Sequence, residues 1–326
     1  MGGKEKLQWI IRPVFPHQMG RYAEHFGGSG AILLGQPREL GRLEVYNDYD
    51  QNLTNLFLCV RDRPLALTRE LGFLPLHSEA EFRALKRLLD RGMPIPDFTG
   101  AELEAAEACL TEEQYAQARE ILTGRAELWD VRRAAAFYRV IRYSFSATTN
   151  SFGVHQVRLQ GFLNLIQKAA ARLDGVVITN RDCCASIALN DGPDTLHYCD
   201  PPYYKAEDKY RLLFTEKDHR RLHTALAECV GHVVVSYNYC DFVRDLYQDF
   251  YILRFERQNE MSQRKGAKYE EAVITNYDPR PMLDSYYQQL DMFQPWAADQ
   301  EQGELRLIHA PGTPTKLEQA RLSPIR

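Results

Sequence analysis

The stretch Tyr22–Gly35, YAEHFGGSGAILLG, decides which fold the chain can adopt. A short strand pattern runs into a glycine cluster, and apolar residues able to begin a helix follow it. Arg42–Asp62, RLEVYNDYDQNLTNLFLCVRD, repeats this order, because LEVY is typical of a strand and apolar residues then recur at helical spacing. Asn47 and Asp48 end that strand. Strands and helices that alternate within about forty residues predict an open parallel α/β sheet.

Residues 77–145 have a different pattern and predict a helical insert in the α/β domain. The segment 78–92, SEAEFRALKRLLDRG, is amphipathic, and Ser78 with Glu81 matches a capping box. A second helical segment opens at Thr111, a residue type suited to the N-cap position, and closes at Gly124. Acidic residues outnumber Lys and Arg through most of the insert, so its basic end is the part suited to phosphate groups.

The sheet pattern resumes after the insert. VVIT, TLHYC and HVVVSYN are typical of strands and alternate with helical segments, so residues 1–76 and 146–280 form the two parts of the α/β domain. DFYILRFERQ and EEAVITNYDP predict an antiparallel pair at the sheet edge. Residues 281–326 are rich in Gln, Pro and Asp and predict a loosely attached tail.

Composition limits the class of protein. The 326 residues are 44% hydrophobic and 26% charged, which is typical of a soluble globular protein. No export signal and no membrane-spanning run is recognisable. Seven scattered cysteines without zinc spacing favour reduced thiols in a cytosol and no metal site. The formal net charge of −4 means that a nucleic-acid partner would need locally concentrated basic residues.

A glycine turn and two acids predict a ligand site at the strand ends. The turn Phe26-Gly27-Gly28-Ser29-Gly30 permits close backbone approach to a ligand, although a simple tight turn would use the same residues. Asp48 follows about twenty residues later, where doubly wound folds bind a ribose; the alternative is a helix N-cap, for which Asp50 is equally suited. Asp182 follows the strand VVIT, and its alternative role is a turn former.

The stretch Tyr198–Lys205, YCDPPYYK, carries the most specific signal. Asp200 follows an apolar strand, Pro201 and Pro202 stiffen the turn, and Tyr203 presents a flat ring. A carboxylate and a rigid backbone carbonyl can accept hydrogen bonds from both N–H groups of an amine that is attached to a heteroaromatic ring. An aromatic face can stack on that ring, provided that the base leaves the duplex. A proline-rich surface turn is the alternative.

The order of these motifs resembles Dam-like (D12 class) DNA adenine N6-methyltransferases. The resemblance covers about residues 20 to 277: the glycine turn comes first, then Asp48, the insert, Asp182, and the turn Asp200–Tyr203. It implies a Rossmann-like methyltransferase fold in which the insert recognises the target sequence. It implies transfer of a methyl group from S-adenosylmethionine to N6 of a flipped adenine in double-stranded DNA, without a metal. N4 methylation of cytosine and a DNA-binding relative without turnover remain alternatives.

The resemblance also implies roles for individual residues. Phe26 to Gly30 would approach the methionine part of the cofactor, Asp48 its ribose and Asp182 its adenine, with Asp200 shared between cofactor and target amine. Asp200, Pro201, Pro202 and Tyr203 would form the catalytic turn. Candidate DNA contacts follow the basic end of the insert, the catalytic turn and a later basic loop: Arg139, Arg142, Tyr143, Ser146, Asn150, Tyr204, Lys205, Arg264, Lys265 and Lys268.

One departure from the family concerns the N-terminus. The family usually opens with a Gly-Gly-Lys segment that closes over the cofactor, whereas here WIIRPVFPHQ occupies that place and GGK occurs only at Gly2–Lys4. Trp9 to Arg12 are candidates to cover the cofactor instead. The resemblance further implies a cytoplasmic protein of bacterial or phage origin. It would act alone or as the methylating half of a restriction pair, beside an endonuclease that cuts the same site.

Overall fold

The chain divides into two compact units. The computed structural model describes residues 7–72, 79–90, 99–119, 130–144, 159–205, 214–258, 268–293 and 305–318. One unit, here called the sheet unit, comprises Gly3–Tyr49 and Arg181–Arg326. The other, the helical unit, comprises Asp50–Asn180 together with Met1–Gly2.

Parallel strands form one half of the sheet unit. In chain order the strands are β1 (Arg21–Glu24), β2 (Leu43–Asn47), β3 (Val177–Thr179, in the helical unit), β4 (Thr195–Cys199), β5 (His232–Asn238), β6 (Tyr251–Gln258), β7 (Lys268–Thr275) and β8 (Arg306–His309). Seven of them lie side by side in the order β2-β1-β4-β5-β7-β6-β8. β1 pairs in parallel with β2 and β4, and β4 pairs in parallel with β5. β7 is antiparallel to both β5 and β6, which confirms the predicted antiparallel pair.

Helices accompany the strands of the sheet unit. They are α1 (Gln8–Ile11), α2 (Ala31–Gly35), α9 (Cys183–Asn190), α10 (Glu216–Ala227), α11 (Asp241–Leu246) and α12 (Arg280–Phe293), and a 3₁₀ turn covers Arg12–Val14. α10 begins at the capping box of Thr215 and Asp218, and the Thr215 amide donates to Asp218 Oδ2 at 2.9 Å.

The core of the sheet unit surrounds β5. Val233, Val235 and Tyr237 alternate along this strand and pack with Leu222 and Leu226 of α10. The intervening residues of β5 are buried as well, so both faces of the strand are covered, as is usual for strands inside an α/β sheet. Burial of each large apolar side chain stabilises the fold by roughly 1.5–3 kcal/mol.

The helical unit contains the predicted insert. Its helices are α3 (Gln51–Asp62), α4 (Pro64–Leu71), α5 (Glu79–Asp90), α6 (Thr99–Cys109), α7 (Val131–Tyr143) and α8 (Leu159–Leu173), and residues 112–119 are also helical. α3, α4 and α5 each pack against α7. The predicted cap at Thr111 is confirmed, because its Oγ1 accepts from the Gln114 amide at 3.4 Å. Ser78 lies outside the described residues.

Asp130 ties two helices of this unit together. Its side chain caps α7 by accepting from the Arg133 amide at 2.8 Å. Its backbone amide donates to Asn55 Oδ1 of α3 at 2.9 Å, and its carbonyl accepts from Asn55 Nδ2 at 2.8 Å. This pair of bonds fixes the start of α7 beside the middle of α3.

The C-terminal segment differs from the loosely attached tail that the sequence predicts. β8 pairs antiparallel with β6, so β8 and not the β6–β7 pair lies at the edge of the sheet. Beyond β8, Thr315 and Leu317 are buried. Thr315 Oγ1 donates to the backbone carbonyl of Asn276 at 2.6 Å. The strand has only four residues within a polar segment, so its alternation was too short to recognise.

None of the helices within the described ranges has both the length and the apolar character needed to cross a membrane.

Thr315→Val tests whether the C-terminal segment is part of the fold. Valine keeps the shape of the side chain but leaves the buried Asn276 carbonyl without this donor, which should lower the free energy of unfolding by about 1–3 kcal/mol. Urea unfolding measures the change, with Thr313→Val, at an exposed position nearby, as the control. Equal stability of the two variants would show that the segment contributes little.

Candidate active site

Backbone hydrogen bonds tie the glycine turn to two neighbouring strands. The Gly27 amide donates to the Asn47 carbonyl at the end of β2 at 2.8 Å. The His25 amide donates to the Tyr198 carbonyl of β4 at 3.0 Å. Since β2 and β4 flank β1, the turn lies at the carboxyl edge of three parallel strands. Open α/β sheets bind their ligands at this edge.

The glycines of this turn meet steric requirements. Gly28 and Gly30 have φ angles of +50° and +63°, a region that side chains with a Cβ disfavour. A Cβ on Gly27 would overlap the ring of Tyr46, whose hydroxyl donates to the Gly28 carbonyl at 2.7 Å. The turn is therefore held tightly against β2, and Ser29 at its tip is exposed.

Asp48 contacts the glycine turn. Its Oδ2 accepts from the Gly28 amide at 2.8 Å. The N-cap of α3 is Asp50, whose side chain accepts from the Asn52 amide at 2.9 Å. The two acids that the sequence could not separate thus have different positions, and Asp48 is the one beside the turn.

Glu24, at the end of β1, is a buried acid that the sequence analysis missed. It is 2% exposed, and its Oε2 accepts from Tyr22 Oη and from the Leu33 amide, each at 3.0 Å. Burial raises the pKa of Glu24 to about 8, and the negative charges of Asp200 and Asp48 add to this rise against the two hydrogen bonds, which lower it. Glu24 is therefore protonated near neutral pH, beside two of the predicted site acids.

A chain of hydrogen-bonded side chains, all buried except Asp191, extends from His25 behind the turn. His25 Nδ1 lies 2.9 Å from Ser186 Oγ, and its Nε2 lies 2.9 Å from Nδ1 of His197. His197 Nε2 in turn lies 3.1 Å from Asp191 Oδ1. Burial, with a smaller contribution from His197, holds the pKa of His25 well below its usual value, so His25 is neutral. No contiguous sequence pattern indicates this chain, because its members are up to 172 positions apart.

Asp182 is the N-cap of α9, a role that differs from both the cofactor contact and the turn former that the sequence suggests. Its Oδ1 accepts from the Cys184 and Ala185 amides and thereby caps α9. Both carboxylate oxygens also contact Arg221, at 2.8 and 2.7 Å. The hydrogen bond from Arg221 is the largest cause of a pKa below the ordinary range for Asp182. Contact of Asp182 with a cofactor stays a prediction.

Phe26, the first residue of the turn, is half-buried. Its ring lies edge-on to that of Phe214, with 5.6 Å between the ring centroids. Phe214 in turn lies edge-on to His219 of α10, at 4.7 Å. Aromatic packing thus connects the glycine turn to the helix that follows the Asp200 turn.

A hydroxyl of β5 orients Asp200. Ser236 Oγ donates to Asp200 Oδ1 at 3.0 Å, and Tyr198 Oη lies 2.9 Å from the same serine oxygen. Serine has one hydroxyl proton, so Tyr198 is the donor and Ser236 the acceptor in the second bond. Ser236 and Tyr198 are buried, and Asp200 is half-buried. One carboxylate oxygen is thus fixed by the sheet itself.

The residues after Asp200 form an aromatic surface. Pro201 is buried, Pro202 and Tyr203 are half-buried, and the Tyr203 hydroxyl donates to Glu271 of β7. The ring of Tyr204 stacks on Phe242, with centroids 4.0 Å apart and planes 15° from parallel.

A family model for the D12 class N6 adenine-specific DNA methyltransferases matches residues 1–261. The chain belongs to this family. It is therefore an enzyme that methylates adenine in DNA, and the cytosine alternative is not favoured. The mixed sheet with helices fits the α/β fold of a methyltransferase. A comparison with curated proteins finds no match.

Two residues of the methyltransferase that the sequence predicts to contact DNA lie in different surroundings. Lys205 is exposed, and its Nζ lies 5.6 Å from the centroid of the Tyr204 ring. Arg139 Nη2 donates to the Glu70 and Leu71 carbonyls at 3.1 and 2.8 Å.

Apart from Tyr204, the other residues that the sequence predicts to contact DNA lie on α7, on β7 or outside the described residues. Arg142 is half-buried on α7, Tyr143 ends that helix and Lys268 begins β7. Four predicted contacts lie outside the described residues: Ser146, Asn150, Arg264 and Lys265.

Glu24→Gln tests the protonated buried acid. Because folding raises the pKa of Glu24 from 4.5 to about 8, its contribution to stability is fully present below 4.5 and is lost as pH rises through about 8. Glutamine cannot ionise, and its oxygen can still accept from Tyr22 and Leu33. Melting temperature measured from pH 5 to 8 should therefore fall less in this variant than in the wild type.

The control for this experiment is Glu112→Gln, which alters an exposed glutamate of the helical unit. It should leave the wild-type pH dependence intact. Parallel curves for wild type and Glu24→Gln would contradict the assignment of a protonated Glu24.

Proposed function

We propose that the enzyme transfers the methyl group of S-adenosylmethionine to N6 of an adenine that has left double-stranded DNA. The observation that carries this proposal is the pair of backbone bonds from His25 and Gly27 to the ends of β4 and β2. They gather the glycine turn, Asp48 and the Asp200 turn at one edge of the sheet. A methyl donor bound at the glycine turn and Asp48 would lie beside a base bound at the Asp200 turn.

The residues at this edge fit a nucleoside with a charged amino-acid tail. S-adenosylmethionine supplies a methyl group that is activated by a sulfonium. Gly28 and Gly30 expose backbone without side chains, so a ligand can approach closely. The amide of Gly28 orients the Asp48 carboxylate, which suits it to accept hydrogen bonds from ribose hydroxyls.

The N-terminal helix supports this site in place of the family's lysine segment. Gln8 Nε2 donates to the Ala31 carbonyl at 2.7 Å, and Arg12 Nη1 donates to the Gly35 carbonyl at 3.3 Å. Both carbonyls belong to α2, the helix that follows the glycine turn. α1 and the 3₁₀ turn that follows it are therefore anchored next to the glycine turn, and in our proposal Trp9 to Arg12 cover the bound cofactor.

The Asp200 turn would bind the target amine. The Asp200 carboxylate and the Pro201 carbonyl accept hydrogen bonds from its two N–H groups. These bonds direct the nitrogen lone pair towards the methyl group. The Ser236 hydroxyl holds one oxygen of Asp200 during this step. N6 must lose one proton when the N–C bond forms, and in our proposal the Asp200 carboxylate accepts it. Tyr203 stacks on the extruded base.

Other parts of the proposal concern the DNA and the cellular setting. Tyr204, Lys205 and Arg142 are proposed to contact the strand that carries the target, and the insert at 77–145 to recognise its sequence. Arg139 and the remaining predicted contacts stay in this proposal. The enzyme would act in the cytoplasm of a bacterium or phage-infected cell. It would work alone or beside a restriction endonuclease with the same site, with no metal in the reaction.

Asp200→Ala tests the base-binding turn. Loss of the carboxylate removes an acceptor of the target amine, so formation of N6-methyladenine in unmethylated plasmid DNA should fall by at least about 1,000-fold. Affinity for S-adenosylhomocysteine, measured by calorimetry, should stay within about tenfold. Nucleosides from the treated DNA are quantified by mass spectrometry. Turnover within tenfold of wild type, or N4-methylcytosine as the product, would overturn the proposal.

Asp48→Ala tests the cofactor site, and Asp50→Ala is its matched control. Removal of the ribose acceptor should weaken S-adenosylhomocysteine binding by about 10- to 100-fold, as expected for a hydrogen bond to a charged group. Asp50→Ala removes the cap of α3 and should cost about 1 kcal/mol of stability without weakening binding. Equal affinities of the two variants would remove Asp48 from the cofactor site.

A further inference from the structure

Glu271 is a buried acid in the middle of the sheet. It lies on β7, is 1% exposed and pairs in register with Asn238 of β5 and Phe255 of β6. The residues after it on β7 are Ala272, Val273 and Ile274, which are all buried. An unpaired carboxylate in such a place is costly, and an aliphatic side chain would stabilise the strand more. Glu271 also lies beyond residue 261, where the family match ends.

One partner of Glu271 is the tyrosine of the Asp200 turn. Tyr203 Oη donates a hydrogen bond to Glu271 Oε2. The ring of Tyr203 also packs near Tyr237 of β5, with centroids 6.3 Å apart and planes 27° from parallel. Tyr237 is fully buried. Two neighbouring strands therefore hold the side chain of Tyr203, one through its ring and one through its hydroxyl.

These contacts fix the part of Tyr203 that the backbone leaves variable. Pro201 and Pro202 restrict the backbone angles of the turn, but they do not set the rotation of the ring that follows. A hydrogen bond to an acceptor on a central strand sets that rotation, because β7 is paired on both sides.

We propose that Glu271 is a positioning residue, which orients the Tyr203 ring for stacking on the target adenine. This inference rests on the proposed role of Tyr203. Glu271 does not touch the base; it keeps the ring in the orientation that stacks, so less reorganisation is needed when the base arrives. Its effect should therefore appear in methylation of DNA and not in binding of the cofactor.

The test compares Glu271→Met with Glu271→Gln. Methionine removes the acceptor, whereas glutamine keeps an oxygen that can accept from Tyr203. With unmethylated plasmid DNA as substrate, we expect Glu271→Met to lower kcat/KM for DNA by about 10- to 30-fold, the size of one hydrogen bond to a charged group. Glu271→Gln should recover most of this loss. The affinity of all variants for S-adenosylhomocysteine should stay within about twofold of wild type.

Glu270→Met is the matched control on the same strand. Glu270 is exposed and pairs with Arg254, so this change should leave kcat/KM for DNA unaltered. Melting temperatures are measured for every variant. If Glu271→Met lowers stability and leaves kcat/KM for DNA unchanged, the acid serves only the fold and the inference is overturned.

A double-mutant cycle separates coupling from general damage. Tyr203→Phe keeps the ring and removes the donor, so adding Glu271→Met to it should cause no further loss. Additive losses would overturn the inference.

Tyr203→Ala distinguishes this inference from the proposed function. Full activity of Tyr203→Ala would refute the stacking role itself. Inactive Tyr203→Ala beside fully active Tyr203→Phe and Glu271→Met would refute only the positioning role.

Discussion

The architecture of the candidate site depends on two backbone hydrogen bonds, from His25 to Tyr198 and from Gly27 to Asn47. Each joins the turn after β1 to the end of a flanking strand. They are possible because the strands are parallel, so their carboxyl ends meet at one edge. The absence of a side chain on Gly27 lets the turn lie flat against Tyr46. The glycine turn, Asp48 and the Asp200 turn are positioned relative to these two bonds.

Side chains from behind the edge complete the site. Ser236 orients Asp200, Glu271 holds Tyr203, and Asp48 is bound by Gly28. The donors and acceptors that position these groups belong to strands or to the turn itself. Rotamers fixed by a sheet are more precise than those on a free loop, which is what a reaction between two bound molecules requires.

The sequence predicted the parts of this site that depend on local order. Glycines between a strand and a helix, an acid at a strand end, and the Asp-Pro-Pro-Tyr turn are contiguous signals. The sequence could not decide which of Asp48 and Asp50 caps the helix and which lies at the ligand site. That choice depends on the backbone amide from which each carboxylate accepts a hydrogen bond. Glu24, Ser236 and Glu271 were missed because they lie within apolar strands, where only tertiary contacts reveal a role. β8 was missed because four alternating residues in a polar segment carry too little pattern.

The proton on Glu24 has a consequence for charge at the strand ends. Three carboxyl groups meet there, and burial of one of them as a neutral acid leaves the negative charge to Asp48 and Asp200. In the proposed reaction the methyl donor is cationic at sulfur, whereas the spent donor is a neutral sulfide. Two negative groups attract the former more strongly than the latter. In the proposed reaction this charge favours loading of fresh donor and release of the used one, and so repeated turnover over product retention.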